Sequence, residues 1–454
     1  KSVRKYRLLA LHLQPQGQLL SSPEKPNQMF QPRSHLMTAT SIPHIGIFPS
    51  IRVGTSACSR RTTPRPSSHV VTKPAVSCIS SMGTSSDIKP EISSRGFNYV
   101  RAQSAARLPR GTNSRGVFFV HAGSTQKVCI VNTPSGGHAV LGYYLAKELA
   151  EAGHKVTICT ACEEGSKKML KAPFTSWDEL RDLGVKTLWG EPSTMASNCK
   201  KSDFDIIVDN NGKTLETVQP VIDWAKSIGA KQFLFVSSAG IYKPSVVLPV
   251  TEEAAVKESS GHAQVEKYAS EVKGLEWSSF RPQYMVGRLN NKDCEEYFFD
   301  RIVRGRPIVI PGSGEQIVNI AHAADNAHMI ALAVGNKDAY GQIYNCVRDK
   351  GVTLNGFVAM CGEAANMTAN VVHYDPEKLG VEAKKQFPFR TEYHFFTTPA
   401  NALKTLNWEP KSTLAKDLVE RFAEYKAMTE RMYAEMTFEA DDAILDTLGW
   451  KANE

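Results

Sequence analysis

The feature that most restricts the fold of this chain is a glycine-containing turn between a β-branched run and an amphipathic helix. Residues 127–133 (KVCIVNT) lead into Ser135-Gly136-Gly137-His138-Ala139-Val140-Leu141-Gly142, and a helical window then runs to Gly153. Glycines at such a turn let the chain double back, let a pyrophosphate approach the backbone, and let the helix pack close to the sheet with its first N–H groups facing the anion. Aligned on Gly142 the pattern is G-x-x-A-x-x-G, with Ala139 in place of the middle glycine. Gly136, Gly137, Ala139 and Gly142 are therefore the candidate cofactor-binding positions. NAD(P) binding stays open, because the acid that normally holds the ribose after the second strand is replaced by Thr160-Ala161-Cys162, with Glu163 and Glu164 arriving late.

From Lys127 onward, short β-branched runs alternate with amphipathic windows, which argues for parallel strands joined by crossover helices. Strands are expected at 127–133, 155–160, 185–189, 205–209, 232–238 and 276–281, and helices at 139–152, 214–228 and 258–273. Beyond about 290 the alternation loosens, with helices at 325–334 and 412–433. The fold class is α/β, a Rossmann-like doubly wound parallel sheet (126–290) with a smaller C-terminal lobe (291–454).

The net charge of +8 divides unevenly. Residues 1–125 hold 17 Lys and Arg against Glu24, Asp87 and Glu91, a charge of +14, so the remainder carries −6. The first segment is rich in Ser, Arg and Pro and lacks periodicity. It cannot bury enough apolar surface to fold and suits an organelle transit peptide, plastid before mitochondrion because of its Ser and Thr content. Lys1 is not an initiator; Met37 is a credible start, and the mature chain is expected to begin between Ala102 and Lys127. No apolar run reaches the roughly 18 to 20 residues of a membrane helix, so no membrane insertion is expected. The 9 scattered cysteines indicate no disulfide framework.

The segments FVSSAGIY (235–242), FRPQYMVG (280–287), RGRPIVIPGSGEQ (304–316) and LNWEPKSTL (406–414) resemble nucleotide-sugar epimerases and other extended short-chain dehydrogenases. That resemblance implies a catalytic Ser, a Tyr, and a Lys four residues after the Tyr that lowers its pKa. Ser238 stands at the Ser position, but Glu258 stands where Tyr belongs and His262 where Lys belongs; Glu266, which follows, is kept. Without the tyrosine acid, hydride transfer to a carbonyl lacks its proton donor. A Tyr143-x-x-x-Lys147 match lies on the helix leaving the glycine turn, out of reach of Ser238. More narrowly, VNTPSGGHAVLGYYLAKEL, DIIVDNNGKTLETVQPVIDWAKS and GHAQVEKY resemble the chloroplast stem-loop-binding proteins, a-type. This implies a stromal protein that binds stem-loop RNA, cleaves it as a divalent-metal-dependent (Mg2+) endoribonuclease, and joins plastid ribosomal or transcription particles, with a b-type paralogue or itself as oligomer partner.

A metal-dependent nuclease needs hard oxygen ligands at the carboxyl ends of strands. Asp209, Asp223 and Glu191 are the candidates, Asp209 first. For Asp209 an equal alternative is a polar Asp-Asn-Asn-Gly turn capped by its own side chain, and for Asp223 and Glu191 a solvated face is the better reading. His322-x-x-Asp325-x-x-His328 looks metal-like, though Asp325 is better placed as a helix cap. Ser238, His262 and Glu266 join Asp209 as catalytic candidates, His262 and Glu266 lying four apart on one helix face. RNA also needs cations: Arg281, Arg288, Lys292, Arg301, Arg304 and Arg306 are interleaved with Tyr284, Tyr297, Phe298 and Phe299. Here too a second reading stands, with the aromatics in the core and the arginines anchoring acids such as Glu295 and Glu296.

Overall fold

In the computed structural model, which describes residues 124–451 apart from 199, 291 and 293, the six expected runs form strands of one parallel sheet. They are β1 (Lys127–Asn132), β2 (Lys155–Thr160), β3 (Lys186–Trp189), β4 (Ile206–Asn210), β5 (Gln232–Val236) and β6 (Glu276–Pro282). A seventh strand, Gln342–Cys346, lies beside β6, and the order across the sheet from there is β6, β5, β4, β1, β2, β3. Both faces are covered, as a parallel sheet requires; Val128, Cys129, Ile130 and Val131 are all fully buried. The leader, residues 1–123, lies outside the described residues.

The helices are α1 (Gly137–Glu151), α2 (Trp177–Asp182), α3 (Pro192–Asn198), α4 (Leu215–Ser227), α5 (Gly261–Glu271), α6 (Glu295–Ile302) and α7 (Ala323–Ala333), followed by shorter C-terminal pieces and the long helix Leu414–Ala427. On one face α1 packs against α7; on the other α4 packs against α5. The stretch after 290 thus contributes a strand and a covering helix to the Rossmann unit as well as a lobe of its own, whose core holds Phe298, Phe357, Phe389 and Phe422. The boundary placed at 290 does not separate the sheet from its partners.

Among the element ends that differ from expectation, two have clear local reasons. The fifth strand stops at Val236 rather than 238, because the Ser238 Oγ accepts from the Gly240 N–H (3.1 Å) and opens a 3-10 turn at Ala239–Ile241. The long C-terminal helix breaks at Met428, whose ψ of 67° is not helical.

Sequence order reverses between β1 and β4, and there the carboxyl ends of the strands open a crevice. Gly142 allows α1 to lie close above it: a Cβ at this position would fall 2.1 Å from the Asn132 Oδ1 and 3.0 Å from the Asn210 Nδ2. The Asn210 amide donates to the Asn132 Oδ1 (2.8 Å) and to the His138 carbonyl (2.7 Å), tying the turn to β1 and β4. Gly142→Ala is expected to cost about 1–3 kcal/mol through overpacking of this amide pair. Urea denaturation measures it, and an unchanged midpoint would mean that the helix can lift away freely.

Candidate functional site

A cavity of about 430 Å3 occupies the crevice. Gly136, Gly137 and His138 of the glycine turn line one side, Asn211 and Lys213 of the loop after β4 another, with Ser238, His262 and Lys292 completing it. Gly136 has φ +76°, a left-handed conformation that favours glycine. Gly261 decides the opposite wall: an added Cβ would meet the Lys213 carbonyl at 2.3 Å, so only glycine lets α5 begin against the 213–214 backbone and set His262 beside Lys213.

Among the described residues lining this cavity there is no acid. Its charge chemistry is therefore imidazole and ammonium. Burial first, then the neighbours His262, Lys213 and Lys292, hold His138 down at about 3. Burial also lowers His262, with Lys213 adding to this and Glu266 opposing it. His138 is therefore neutral at neutral pH, burial disfavours the charged form of His262 as well, and the Nε2 of His262 is buried without a hydrogen-bond partner. Two further cavities, of about 130 and 250 Å3, share Ser238 and Lys292 with the first and carry the cleft past Gln283 and Tyr284 to Phe389 and Arg390.

Ser238 lines the cleft, and His262 faces it from the second position of α5. Glu258 lies in the turn before α5 rather than on the helix. Glu266, expected at the reaction centre, is a structural anchor: it is buried, accepts from the Ser279 hydroxyl (2.8 Å), and receives Arg281 on both oxygens (3.0 and 2.6 Å). Tyr143 is buried and donates to Glu179 (2.6 Å), which commits it elsewhere. Of the glycine-turn positions, Gly136 and Gly137 line the cavity, whereas Ala139 is fully buried and Gly142 serves the helix–strand contact. A pyrophosphate suits this turn; the ribose end offers Thr160, Ala161 and Cys162 without a carboxylate.

The three metal candidates do not converge. No group of three His, Cys, Asp or Glu that could hold a metal ion exists among the described residues. Asp209 is 1% exposed, and its Oδ1 accepts from the Asn211 and Gly212 N–H groups (2.9 and 2.7 Å), so it closes its own turn. Asp223 lies on α4, accepting from the Tyr268 hydroxyl (2.7 Å), and Glu191 precedes α3 beside a separate cavity. These residues do not fit a bound Mg2+: the best-placed carboxylate is turned inward, and the others belong to different surfaces. In the His322–Asp325–His328 run, it is His322 that caps α7, while Asp325 pairs with Arg348 and His328 with Glu148.

Most of the six cations of the 281–306 stretch are instead engaged by partners within the protein. Arg281 pairs with Glu266, Arg301 with Asp441 (2.7 Å), and Arg306 with Asp442. Arg304 donates to the carbonyls of Asp300, Arg431 and Ala434. Phe298 and Phe299 are fully buried and Tyr297 nearly so. Arg301 anchors an acid because α6 is buried on every side, and Arg281, Arg304 and Arg306 are likewise held by partners within the protein. Only Arg288, paired with Glu179 on the surface, and exposed Lys292 remain of the six as cations open to a ligand. Sequence reading missed Lys213, Gln283 and Arg390. The signal for Lys213 was its place two residues past Asn211 at the switch-point strand; the other two carried none.

The sheet order, the glycine turn and the crevice define a Rossmann protein of the epimerase/dehydratase class, and the chain matches the NAD dependent epimerase/dehydratase family over residues 135–346. It belongs to the family of the chloroplast stem-loop binding proteins: it is 33% identical over 340 residues to the Arabidopsis thaliana chloroplast stem-loop binding protein of 41 kDa b, covering 73% of this chain and 87% of that protein. Among solved structures, the fold is shared with a UDP-glucose 4-epimerase of Thermotoga maritima (TM-score 0.51, 17% identity, 67% of this chain and 100% of that one). It is shared as well with a dTDP-glucose 4,6-dehydratase of Streptomyces venezuelae (TM-score 0.53, 15% identity, 66% and 97%).

Proposed function

We propose that this protein binds stem-loop RNA in the chloroplast stroma and cleaves it endonucleolytically. The observation that carries the reading is the acid-free cavity of Lys213, Lys292, His138 and His262, in a family whose Arabidopsis member is named for stem-loop binding. Backbone phosphates are the anions such a cavity takes, and the −6 charge of residues 126–454 makes a local concentration of cations necessary. The basic, Ser-rich leader and the chloroplastic relative support the location. Association with plastid ribosomal or transcription particles, and pairing with itself or a b-type paralogue, extend the same reading. Nicotinamide chemistry is disfavoured by Glu258 and His262 at the Tyr and Lys positions. No step is assigned to a metal, since the carboxylates do not fit one.

A second reading, a non-catalytic RNA scaffold, is favoured by one observation: Asp209, the leading ligand candidate, faces inward. The test is filter binding and cleavage of a stem-loop RNA by the full chain, with Mg2+ or with EDTA, beside Lys213→Ala/Lys292→Ala. The native chain is expected to bind and cut. The double variant should bind weakly, with its salt slope flattened by about 1.4, the contribution of two single-strand phosphates. Binding without cutting would leave the scaffold, and absence of both would overturn the RNA reading.

A further inference from the structure

We propose that the cleft receives a single unpaired nucleotide of the RNA, its phosphate in the cavity of Lys213 and His262 and its base in the aromatic end at Tyr284 and Arg390. The inference rests on the RNA-binding reading and names the part of the RNA that enters.

Three cavities in line share Ser238 and Lys292, so a phosphate end and an aromatic end belong to one cleft. At the phosphate end, two ammonium groups and two imidazoles face one another with no acid among them, and the buried Nε2 of His262 lacks a partner. At the other end, Tyr284 lies 4.5 Å from the Phe389 ring, and its hydroxyl accepts from the Arg390 N–H (2.8 Å). The Arg390 guanidinium lies 5.1 Å over Phe395 and 5.5 Å from the Tyr393 ring, donates to the Tyr393 hydroxyl and lines the cavity, so a planar cation is held by aromatic neighbours at the end where a base would stack. Between the two ends Gln283 has a buried Oε1 with no hydrogen-bond partner, an acceptor for an N–H on a base edge. Glu392, the one acid among the described residues of the three linings, stands exposed at the outer end.

A paired base within a duplex keeps its faces stacked and its edge occupied, so it offers neither surface to the cleft; a base in a loop offers both. The cleft therefore selects the loop rather than the stem, and stacking worth about 1–3 kcal/mol per base corresponds to at least about a fivefold preference.

The test uses the full chain and a hairpin with 2-aminopurine in its loop, compared with a blunt duplex of the same stem and with a hairpin abasic at the labelled position. Tighter hairpin binding, quenched 2-aminopurine emission, and loss of both in Arg390→Ala and Gln283→Ala are expected, with thermal melts showing both variants folded. Equal affinity for hairpin, abasic hairpin and duplex, or unquenched emission at saturation, would overturn the nucleotide subsite while leaving RNA binding intact. If no RNA binds at all, the underlying RNA reading fails with it. Lys292→Ala, on an exposed side chain, should weaken hairpin and duplex alike without restoring the emission, which separates the phosphate end from the base end.

Discussion

Replacing Arg281 with methionine is expected to lower the folding stability by about 3–5 kcal/mol, because it leaves a carboxylate buried without its counter-charge. Arg281 and Glu266 are 3% and 7% exposed, and the guanidinium meets both carboxylate oxygens. It also donates to the Tyr242 hydroxyl (2.7 Å) and the Glu252 carbonyl (3.0 Å), joining α5, β6 and the segment between β5 and α5. The carboxylate beside it pushes the Arg281 pKa further up, against the opposing effect of burial. Once the cation is gone, Ser279 is the one donor left to Glu266 among the bonds described above. Urea denaturation of the full chain reads the loss, and the double variant Arg281→Met/Glu266→Leu should recover much of it, as apolar replacement of a buried pair commonly does. A loss below about 1 kcal/mol would show the pair to be solvated, and would return Arg281 to the RNA-binding surface.

The sheet was legible in the sequence because its central strands are buried on both faces and so carry short continuous apolar runs, such as IIV in β4 or FLFV in β5. The seventh strand, QIYNC, was not, because Asn345 interrupts the run; in the structure its side chain accepts from the Tyr242 hydroxyl (2.8 Å) and donates to the Thr398 carbonyl (3.1 Å). The glycine turn was legible because backbone conformation restricts residue type locally. The arginines were misplaced because charge pattern along the chain does not report burial: the 281–306 stretch looked like an RNA-facing run of cations and aromatics, yet the charges of α6 within it meet partners far along the chain. Glu295 and Glu296 pair with Arg421, and Arg301 pairs with Asp441. His262 was found because its helix register is local; Gln283 and Arg390 come together only through tertiary packing and had no local signal.

Asp209→Asn is expected to stabilise the protein above pH 6 by about 3 kcal/mol, and to change little near pH 4. Burial raises the Asp209 carboxyl from its ordinary 3.8 to about 6, although the Gly212 and Asn211 N–H groups pull the other way. A carboxyl raised in the folded state favours folding while protonated, so its stabilising proton is fully present below pH 3.8 and lost as pH rises through 6. Above that, the native chain carries a buried anion whose Oδ2 has no hydrogen-bond partner. Asparagine keeps the Oδ1 acceptor for the turn and removes the charge. The difference in thermal midpoint between native and variant, taken at pH 4 and at pH 8, isolates this group from every other that titrates. A ligand role predicts the opposite at pH 8: Mg2+ would raise the native midpoint, and Asp209→Asn would abolish that gain together with RNA cleavage. Cleavage that survives in a variant more stable at pH 8 would exclude Asp209 from the chemistry and leave the histidine and lysine cavity as the place where RNA is engaged.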